Sequence, residues 1–99
     1  MEYTFDWDPK KAAANLGKHG VSFERTATIF LDPQGISIPD EGHGEDEERW
    51  VTMGLDTTGS LLVAVHTFDV LDVGHCRIRL ISGRKATKKE AKQYAQVQR

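Results

Sequence analysis

Residues 76–82 of this 99-residue chain read Cys-Arg-Ile-Arg-Leu-Ile-Ser, and this segment decides the fold more directly than any other. Charged and apolar residues alternate along it, which predicts a β-strand with Arg77 and Arg79 on one face and apolar side chains on the other. The apolar face requires a core, so the segment predicts a strand that presents two neighbouring arginines on its opposite side.

The strand is followed by a helix signal. Two further basic residues, Arg84 and Lys85, end the strand segment. Residues 87–90, Thr-Lys-Lys-Glu, then have the spacing of a capping box, in which the hydroxyl and the carboxylate bond each other's backbone N–H. We therefore expect a C-terminal helix over residues 88–97, with basic groups attached to ordered structure.

Upstream of this strand, period-two alternation predicts further strands. The segments with this pattern, including the one above, are 36–38, 49–56, 61–68 and 75–83. Thr58-Gly59 is a turn dipeptide between two of them, and residues 69–74 are expected to form a looser turn. The pattern therefore predicts an antiparallel β-meander of about four strands.

The N-terminal third carries helical signals instead. Asp8 and Pro9 have the residue types of an N-cap and a first helical position, and Gly20 suits a left-handed C-terminal cap. Ser22 is typical of a second N-cap, with apolar residues at helical spacing over residues 23–31. Two N-terminal helices are the expected result.

Residues 2–6 precede these helices as a short edge strand. The full order predicts an α+β fold with two N-terminal helices, a β-meander of about four strands and a C-terminal helix, the helices packing on a face of one sheet. At 99 residues, the chain is expected to form a single domain.

The charge of the chain is unevenly distributed. Residues 77–99 carry +7 and residues 1–76 carry −9, a contrast that the net charge of −2 conceals. A dense positive edge attracts a polyanion, and nucleic acid is the commonest such partner. An ordinary solvated basic surface remains an alternative, but the ordered placement of the arginines favours RNA or DNA.

Composition points to the cytoplasm. No apolar run approaches the roughly 18 residues that a membrane span requires, so no membrane partner is expected. The N-terminus lacks the features of a signal peptide, and the single cysteine, Cys76, excludes an internal disulfide.

The sequence predicts neither a metal site nor a cofactor. The acidic segment 42–48 lacks the alternate spacing of oxygen ligands in a calcium loop. The four histidines fall on separate predicted elements, without a His-x-x-x-His or Cys-x-x-Cys pair. A solvated acidic loop is therefore expected.

Two long segments resemble the BrnT toxin family. Residues 7–23, WDPKKAAANLGKHGVSF, are similar to its N-terminal signature, and residues 77–90, RIRLISGRKATKKE, are similar to its C-terminal one. Residues 49–54, RWVTMG, resemble its middle strand. The resemblance implies a RelE-like fold, a ribonuclease toxin of a bacterial type II toxin–antitoxin pair, and a BrnA-type antitoxin as partner.

The chain departs from this family pattern in two places. Gly83 stands where alanine is usual, and we expect it to loosen the backbone before Arg84. The connection over residues 68–75 is longer than is typical, which we expect to affect a loop. Neither change removes a charged residue.

The expected activity is metal-independent endoribonucleolytic cleavage that inhibits translation, with operator DNA reached only through the antitoxin. RNA can be cut by its own 2′-OH when a side chain takes the proton and cations stabilise the developing charge. The residues predicted to stabilise charge are Arg77, Arg79, Arg84 and Lys85. His66 is a candidate for proton transfer, as are His19 and Tyr94. Because His66 alternates in phase with apolar residues, a structural histidine fits equally well.

A second group of residues is predicted to bind RNA. Lys11, Asn15 and Lys18 recur at the spacing of one helical face, ready for phosphate or partner contacts. The other RNA-binding candidates are His19, Lys88 and Lys89. Trp7 and Trp50 could stack on bases, but indoles in so small a protein belong more often to the core, so neither is assigned to the site.

Two other classes of function remain open from the sequence. The same basic edge could serve a non-catalytic nucleic-acid or ribosome-binding module. It could also dock an acidic protein partner without any nucleic acid. Cleavage of RNA by the purified protein would separate the enzyme from both.

Overall fold

The computed structural model describes residues 2–41 and 48–97. The elements in chain order are β1 Glu2–Asp6, α1 Pro9–His19, α2 Phe23–Ala27, a 3-10 helix Thr28–Leu31, β2 Ile36–Pro39, β3 Trp50–Leu55, β4 Leu61–His66, β5 Asp69–Asp72, β6 His75–Lys85 and α3 Lys88–Val97. Most of the acidic segment that was considered as a cation loop, residues 42–47, lies outside the described residues.

The strands form one mixed six-stranded sheet in the order β1-β6-β4-β3-β2, with β5 also paired to β6. β1 runs parallel to β6, and every other pairing is antiparallel. The expected edge strand at Glu2–Asp6 is confirmed. The four strands expected to form a meander, β2, β3, β4 and β6, pair antiparallel in that order, but the sheet has two further strands, and one of them, β1, pairs in parallel.

The two unexpected pairings have different causes. Strand β5 forms where a turn was expected, and all four of its residues are exposed, so it has no alternation of burial for a sequence pattern to reveal. The parallel pairing of β1 with β6 joins residues more than 70 positions apart, and no local pattern encodes such a contact.

Helix α1 begins and ends where the sequence predicts. The Asp8 carboxylate accepts the Lys10 N–H, Pro9 is the first helical residue, and Gly20 ends the helix with φ of 69°. The second expected helix is shorter than predicted, because α2 stops at Ala27 and a 3-10 turn follows.

Threonine side chains account for this early end of α2. The Thr26 hydroxyl donates to the Ser22 carbonyl, and the Thr28 hydroxyl donates to the Arg25 carbonyl. The Thr28 hydroxyl also accepts the Thr57 N–H from the β3–β4 turn. Such side-chain bonds compete with regular helical geometry, and here they tie the end of the helix to the sheet.

Helices cover both faces of the sheet rather than one. On the first face, α1, α2 and the 3-10 helix pack over a core that includes Phe23, Ile29 and Ile78. On the second face, Tyr94 of α3 packs on Met53 and Val63. Within the described residues, no helix is long and apolar enough to span a membrane.

A β-bulge in β6 changes which side chains share a face. Val65 pairs with Ser82 and His66 pairs with Leu80, so Ile81 is an extra residue on β6. Without the bulge, strict alternation would place Arg84 on the sheet face that does not carry Arg77 and Arg79. With it, all three arginines project from the face that α3 partly covers.

Candidate active site

Arg77 and Arg79 lie in a three-stranded patch formed by β1, β5 and the first half of β6. In the sheet register Asp6 of β1 lies beside Arg79, and Asp69 of β5 lies beside Arg77. The Arg79 Nη1 to Asp6 Oδ1 distance is 3.0 Å, and Arg77 Nη2 lies 3.6 Å from Asp69 Oδ2. Each arginine therefore has an acidic neighbour, and all four side chains are about half-exposed.

These side chains border an open cleft of about 560 Å³, which we call the arginine cleft. Its lining residues are Asp6, Glu48, Thr67, Phe68, Asp69, Arg77 and Arg79. Three carboxylates therefore face two guanidinium groups. The cleft combines groups that bind phosphate with groups that accept protons, and both kinds are open to solvent.

Sequence reasoning missed the acidic half of this cleft. Asp6 reaches Arg79 only because β1 pairs in parallel with β6, and Asp69 reaches Arg77 only because β5 exists. His75 was also missed as a neighbour of the arginines. It shares the exposed face of β6 with Arg77, and its Nε2 lies 2.6 Å from the Thr4 hydroxyl.

Arg84 shares the face but not the cleft. Its guanidinium makes two bonds to Glu90, at 2.8 and 2.9 Å, and Glu90 Oε1 also accepts the Thr87 N–H. The bond from Arg84 lowers the pKa of Glu90 to about 2, against the opposing effect of burial. The predicted capping box is therefore present, and Arg84 is part of the junction between β6 and α3.

The continuous positive edge expected from the sequence is therefore divided. Arg77 and Arg79 are paired with acids from the neighbouring strands β5 and β1, and Arg84 is paired with Glu90. Three of the predicted lysines lie exposed around the end of β6 and the start of α3, apart from the cleft: Lys85, Lys88 and Lys89.

His66 lies on the opposite face of the sheet from the arginine cleft. It pairs with the buried Leu80 and is itself 2% exposed. Its Nδ1 donates to the Thr67 carbonyl at 2.9 Å, and its Nε2 lies 2.6 Å from the Thr52 hydroxyl. Burial lowers the pKa of His66, so the ring is held neutral. The structure therefore does not bring His66 together with Arg77 and Arg79.

Asn15 does not face solvent, so the predicted exposed row of Lys11, Asn15 and Lys18 is wrong at its centre. Asn15 is 7% exposed, and its amide donates to the carbonyls of Gly83 and Val21 at 2.8 and 3.0 Å. Its Oδ1 accepts the Gly83 N–H at 3.1 Å. The side chain joins α1 to β6, whereas Lys11 and Lys18 are exposed and His19 is half-buried.

Gly83 tightens the structure instead of loosening it, which corrects the expectation from the sequence. Both its backbone groups bond Asn15, and the residue is buried. A Cβ atom at this position would clash with the Thr26 hydroxyl oxygen. Glycine therefore allows α2 to approach β6 closely.

The part of the chain that the structure describes holds no group of three His, Cys, Asp or Glu side chains arranged to bind a metal ion. The candidate functional groups are those of the arginine cleft. What they can do chemically is to bind a phosphate through Arg77 and Arg79 and to accept a proton through a neighbouring carboxylate.

A solved structure has the same kind of fold as this chain. The 1.1 Å crystal structure of the Brucella abortus ribonuclease toxin BrnT is similar, with a TM-score of 0.60 and 19% sequence identity over 89% of this chain and 100% of that one. At that identity, the likeness establishes the α+β fold with three helices and a mixed six-stranded sheet. No curated protein sequence matches.

The sequence profile of the BrnT family, described as the ribonuclease toxin of a type II toxin–antitoxin system, matches residues 7–90. This chain belongs to the BrnT family. The resemblance seen in the sequence is confirmed, and membership implies an RNA substrate and an antitoxin partner.

Proposed function

We propose that this chain is a metal-independent endoribonuclease that inhibits translation in the cytoplasm as a single toxin domain. A BrnA-type antitoxin neutralises it and provides its only contact with operator DNA. The observation that carries the catalytic part is the pairing of each cleft arginine with an acid from a neighbouring strand, Arg79 with Asp6 and Arg77 with Asp69. Family membership supplies the reaction class, and the cleft supplies groups that suit it.

In this proposal Arg77 and Arg79 hold the phosphate at the cleavage site. Guanidinium groups bind phosphate oxygens in a bidentate manner, and they stabilise the charge that develops as the 2′-oxygen attacks phosphorus. A bound phosphate would replace Asp6 as the partner of Arg79. The displaced carboxylate would then be free beside the reacting ribose.

Asp6 is therefore our candidate for the general base, with Asp69 in the equivalent place beside Arg77. A carboxylate can take the 2′-OH proton, and the resulting carboxylic acid can return it to the leaving 5′-oxygen. Both acids are exposed to solvent, whereas His66 is buried on the other face. We assign to His66 a structural role in place of proton transfer.

The test is cleavage of a short RNA by the purified protein in excess EDTA. We expect cleavage to persist, and to stop when the nucleotide 5′ to the cut carries 2′-deoxyribose. Arg79→Ala should lower the cleavage rate by about 100-fold, the usual effect of removing one group that stabilises developing charge. Lys92→Ala, an exposed change of equal charge on α3, is the matched control. Loss of cleavage on chelation, or equal cutting of DNA, would refute the 2′-OH mechanism.

The Asp6→Asn variant distinguishes a role in proton transfer from a role in phosphate binding. The amide cannot accept the proton, but it leaves Arg79 without a competing negative charge. We expect the cleavage rate at saturating RNA to fall while RNA binding is retained or strengthened. Equal loss of binding and rate would mean that Asp6 only positions Arg79.

A further inference from the structure

A second cavity, of about 230 Å³, lies on the sheet face opposite the arginine cleft. We call it the aromatic pocket. Its lining residues are Tyr3, Phe30, Ser37, Trp50, His66 and Phe68. Four of the six side chains are phenyl, phenol or indole rings, and Phe68 also lines the arginine cleft.

The walls of the aromatic pocket are fixed by contacts between rings. Phe30 meets His66 edge-to-face with centroids 4.9 Å apart, and it packs on Phe5 at 5.4 Å. Tyr3 lies 6.3 Å from both phenylalanines. The pocket is therefore formed before any ligand arrives, although Tyr3 and Phe68 are each 38% exposed.

The two tryptophans lie in different environments, one in the core and one at the aromatic pocket. Trp7 packs edge-to-face on buried Phe23 with centroids 5.8 Å apart, as a core residue does. Trp50 instead lines the aromatic pocket, so the sequence-based expectation that both indoles belong to the core applies to Trp7 alone.

A chain of hydrogen bonds with a fixed donor-to-acceptor direction ends at Ser37 in the pocket. Because the Thr67 carbonyl can only accept, His66 Nδ1 carries the proton and Nε2 must accept from the Thr52 hydroxyl. Thr52 has no second proton, so across the 2.7 Å contact the Ser37 hydroxyl donates to Thr52. The Ser37 oxygen therefore offers the pocket only lone pairs. The lowered pKa of buried His66 keeps the chain in this direction at neutral pH.

We propose that the aromatic pocket binds one nucleobase of the RNA substrate, stacked on its aromatic walls and donating an N–H to the Ser37 oxygen. Single-stranded RNA is recognised by stacking of splayed-out bases on aromatic rings together with hydrogen bonds to their edges. The two cavities lie on opposite faces of the sheet, but Phe68 lines both of them, so this site adjoins the cleft in which Arg77 and Arg79 would hold phosphate. This inference rests on the proposed function, because it takes RNA as the ligand.

The polarity of Ser37 predicts a base preference. Adenine and cytosine carry an amino donor where hypoxanthine and uracil carry a carbonyl acceptor. In the proposed contact the exocyclic group of the base faces Ser37, so the acceptor-only oxygen should favour the amino member in at least one of the pairs AMP/IMP and CMP/UMP. Ser37→Ala should reduce that preference, because it removes the acceptor and leaves the aromatic walls in place.

Tryptophan fluorescence tests the binding directly, because the chain has two tryptophans, Trp7 packed on the core and Trp50 in the aromatic pocket. In Trp7→Phe, only Trp50 reports, and we expect saturable quenching by the preferred nucleoside monophosphate. In the matched variant Trp50→Phe, only Trp7 reports, and we expect no saturable quenching. Equal behaviour of the two variants would overturn the proposal.

Cleavage kinetics provide a second measurement in the otherwise unchanged protein. We expect Phe68→Ala to raise KM for RNA about tenfold, as loss of a stacking platform does. Leu31→Ala, another exposed apolar residue, is the control and should leave KM unchanged. If Phe68→Ala and Ser37→Ala leave KM unchanged and weaken antitoxin binding instead, the pocket holds a protein side chain and the proposal is wrong.

The two proposals fail in distinguishable ways. Saturable quenching of Trp50 by nucleotides in a protein that does not cleave RNA would overturn the proposed function and support the nucleobase pocket. Cleavage of RNA without saturable quenching, and with wild-type KM in Phe68→Ala, would overturn the pocket alone.

Discussion

Arg84 and Glu90 form a two-bond ion pair that links the end of β6 to the first turn of α3, with N–O distances of 2.8 and 2.9 Å. Glu90 also completes the capping box by accepting the Thr87 N–H, while the Thr87 hydroxyl accepts the Glu90 N–H. Arg84, expected from the sequence to act on RNA, therefore has a structural partner within the fold.

The Glu90 carboxylate should make stability depend on acid pH. Its pKa in the folded protein is about 2, below the ordinary 4.5, so its stabilising effect is complete above pH 4.5 and is lost as the pH falls toward 2. Glu90→Gln keeps a capping side chain but cannot ionise. We expect the wild type to lose roughly 1 to 2 kcal/mol more than this variant over that interval, allowing for solvent screening. Urea unfolding at pH 7, 4.5 and 3 measures the difference, and parallel curves for the two proteins would contradict it.

Asn15→Ala should destabilise the fold strongly. The substitution leaves the N–H and C=O of buried Gly83 without their side-chain partner, and such unsatisfied groups cost about 1 to 3 kcal/mol each. Lys11→Ala, on the same helix but exposed, should change the free energy of unfolding by less than about 0.5 kcal/mol. Chemical denaturation compares the two. An Asn15→Ala protein as stable as the control would show that the α1–β6 junction does not depend on this side chain.

Gly83→Ala should destabilise the protein by about 1 to 3 kcal/mol, because the added methyl group meets the side chain of Thr26. Thr26→Ala removes the hydroxyl and methyl that cause the clash, at the expense of the bond to Ser22. We therefore expect the double variant to lose less stability than the sum of the single ones. Strict additivity in this cycle would mean that the two elements do not approach as closely as described.

Charge reversal in the cleft should weaken the antitoxin complex as well as RNA binding. We expect the antitoxin to present acidic groups to the arginines that RNA needs, in competition with Asp6 and Asp69, so that inhibition and substrate binding are mutually exclusive. The exposed lysines of α1 are expected to share in this contact. Titration of antitoxin into Arg79→Glu and the wild type measures the effect, with Lys92→Glu as the control. Unchanged affinity for Arg79→Glu would place the antitoxin elsewhere.

Local signals in the sequence predicted the start and end of α1, the capping box of α3 and the exposure of Arg77 and Arg79. Each of these depends on residues fewer than about five positions apart, or on simple alternation, and such patterns act through local sterics and hydrogen bonding. They also identified the family, because each of its two signature segments is an unbroken stretch of sequence.

Long-range contacts were beyond the reach of those signals. The sequence pattern did not assign Arg84 to a face of β6, because the bulge at Ile81 that sets its face is a property of the pairing between β4 and β6. Helical spacing placed Asn15 beside the exposed lysines, because spacing alone does not reveal that its amide meets the backbone of Gly83.

The sequence by itself determined the family, the types and approximate limits of most elements, and two arginines side by side on one strand. Tertiary structure alone decided what faces those arginines. Asp6 comes from β1, whose parallel pairing with β6 joins distant parts of the chain, and Asp69 comes from β5, a hairpin strand that no alternation of burial reveals. A segment that is strongly positive in the sequence therefore contributes to a cleft of mixed charge. Net charge adds along a chain, but electrostatic interaction falls with distance in space, and only the fold sets that distance.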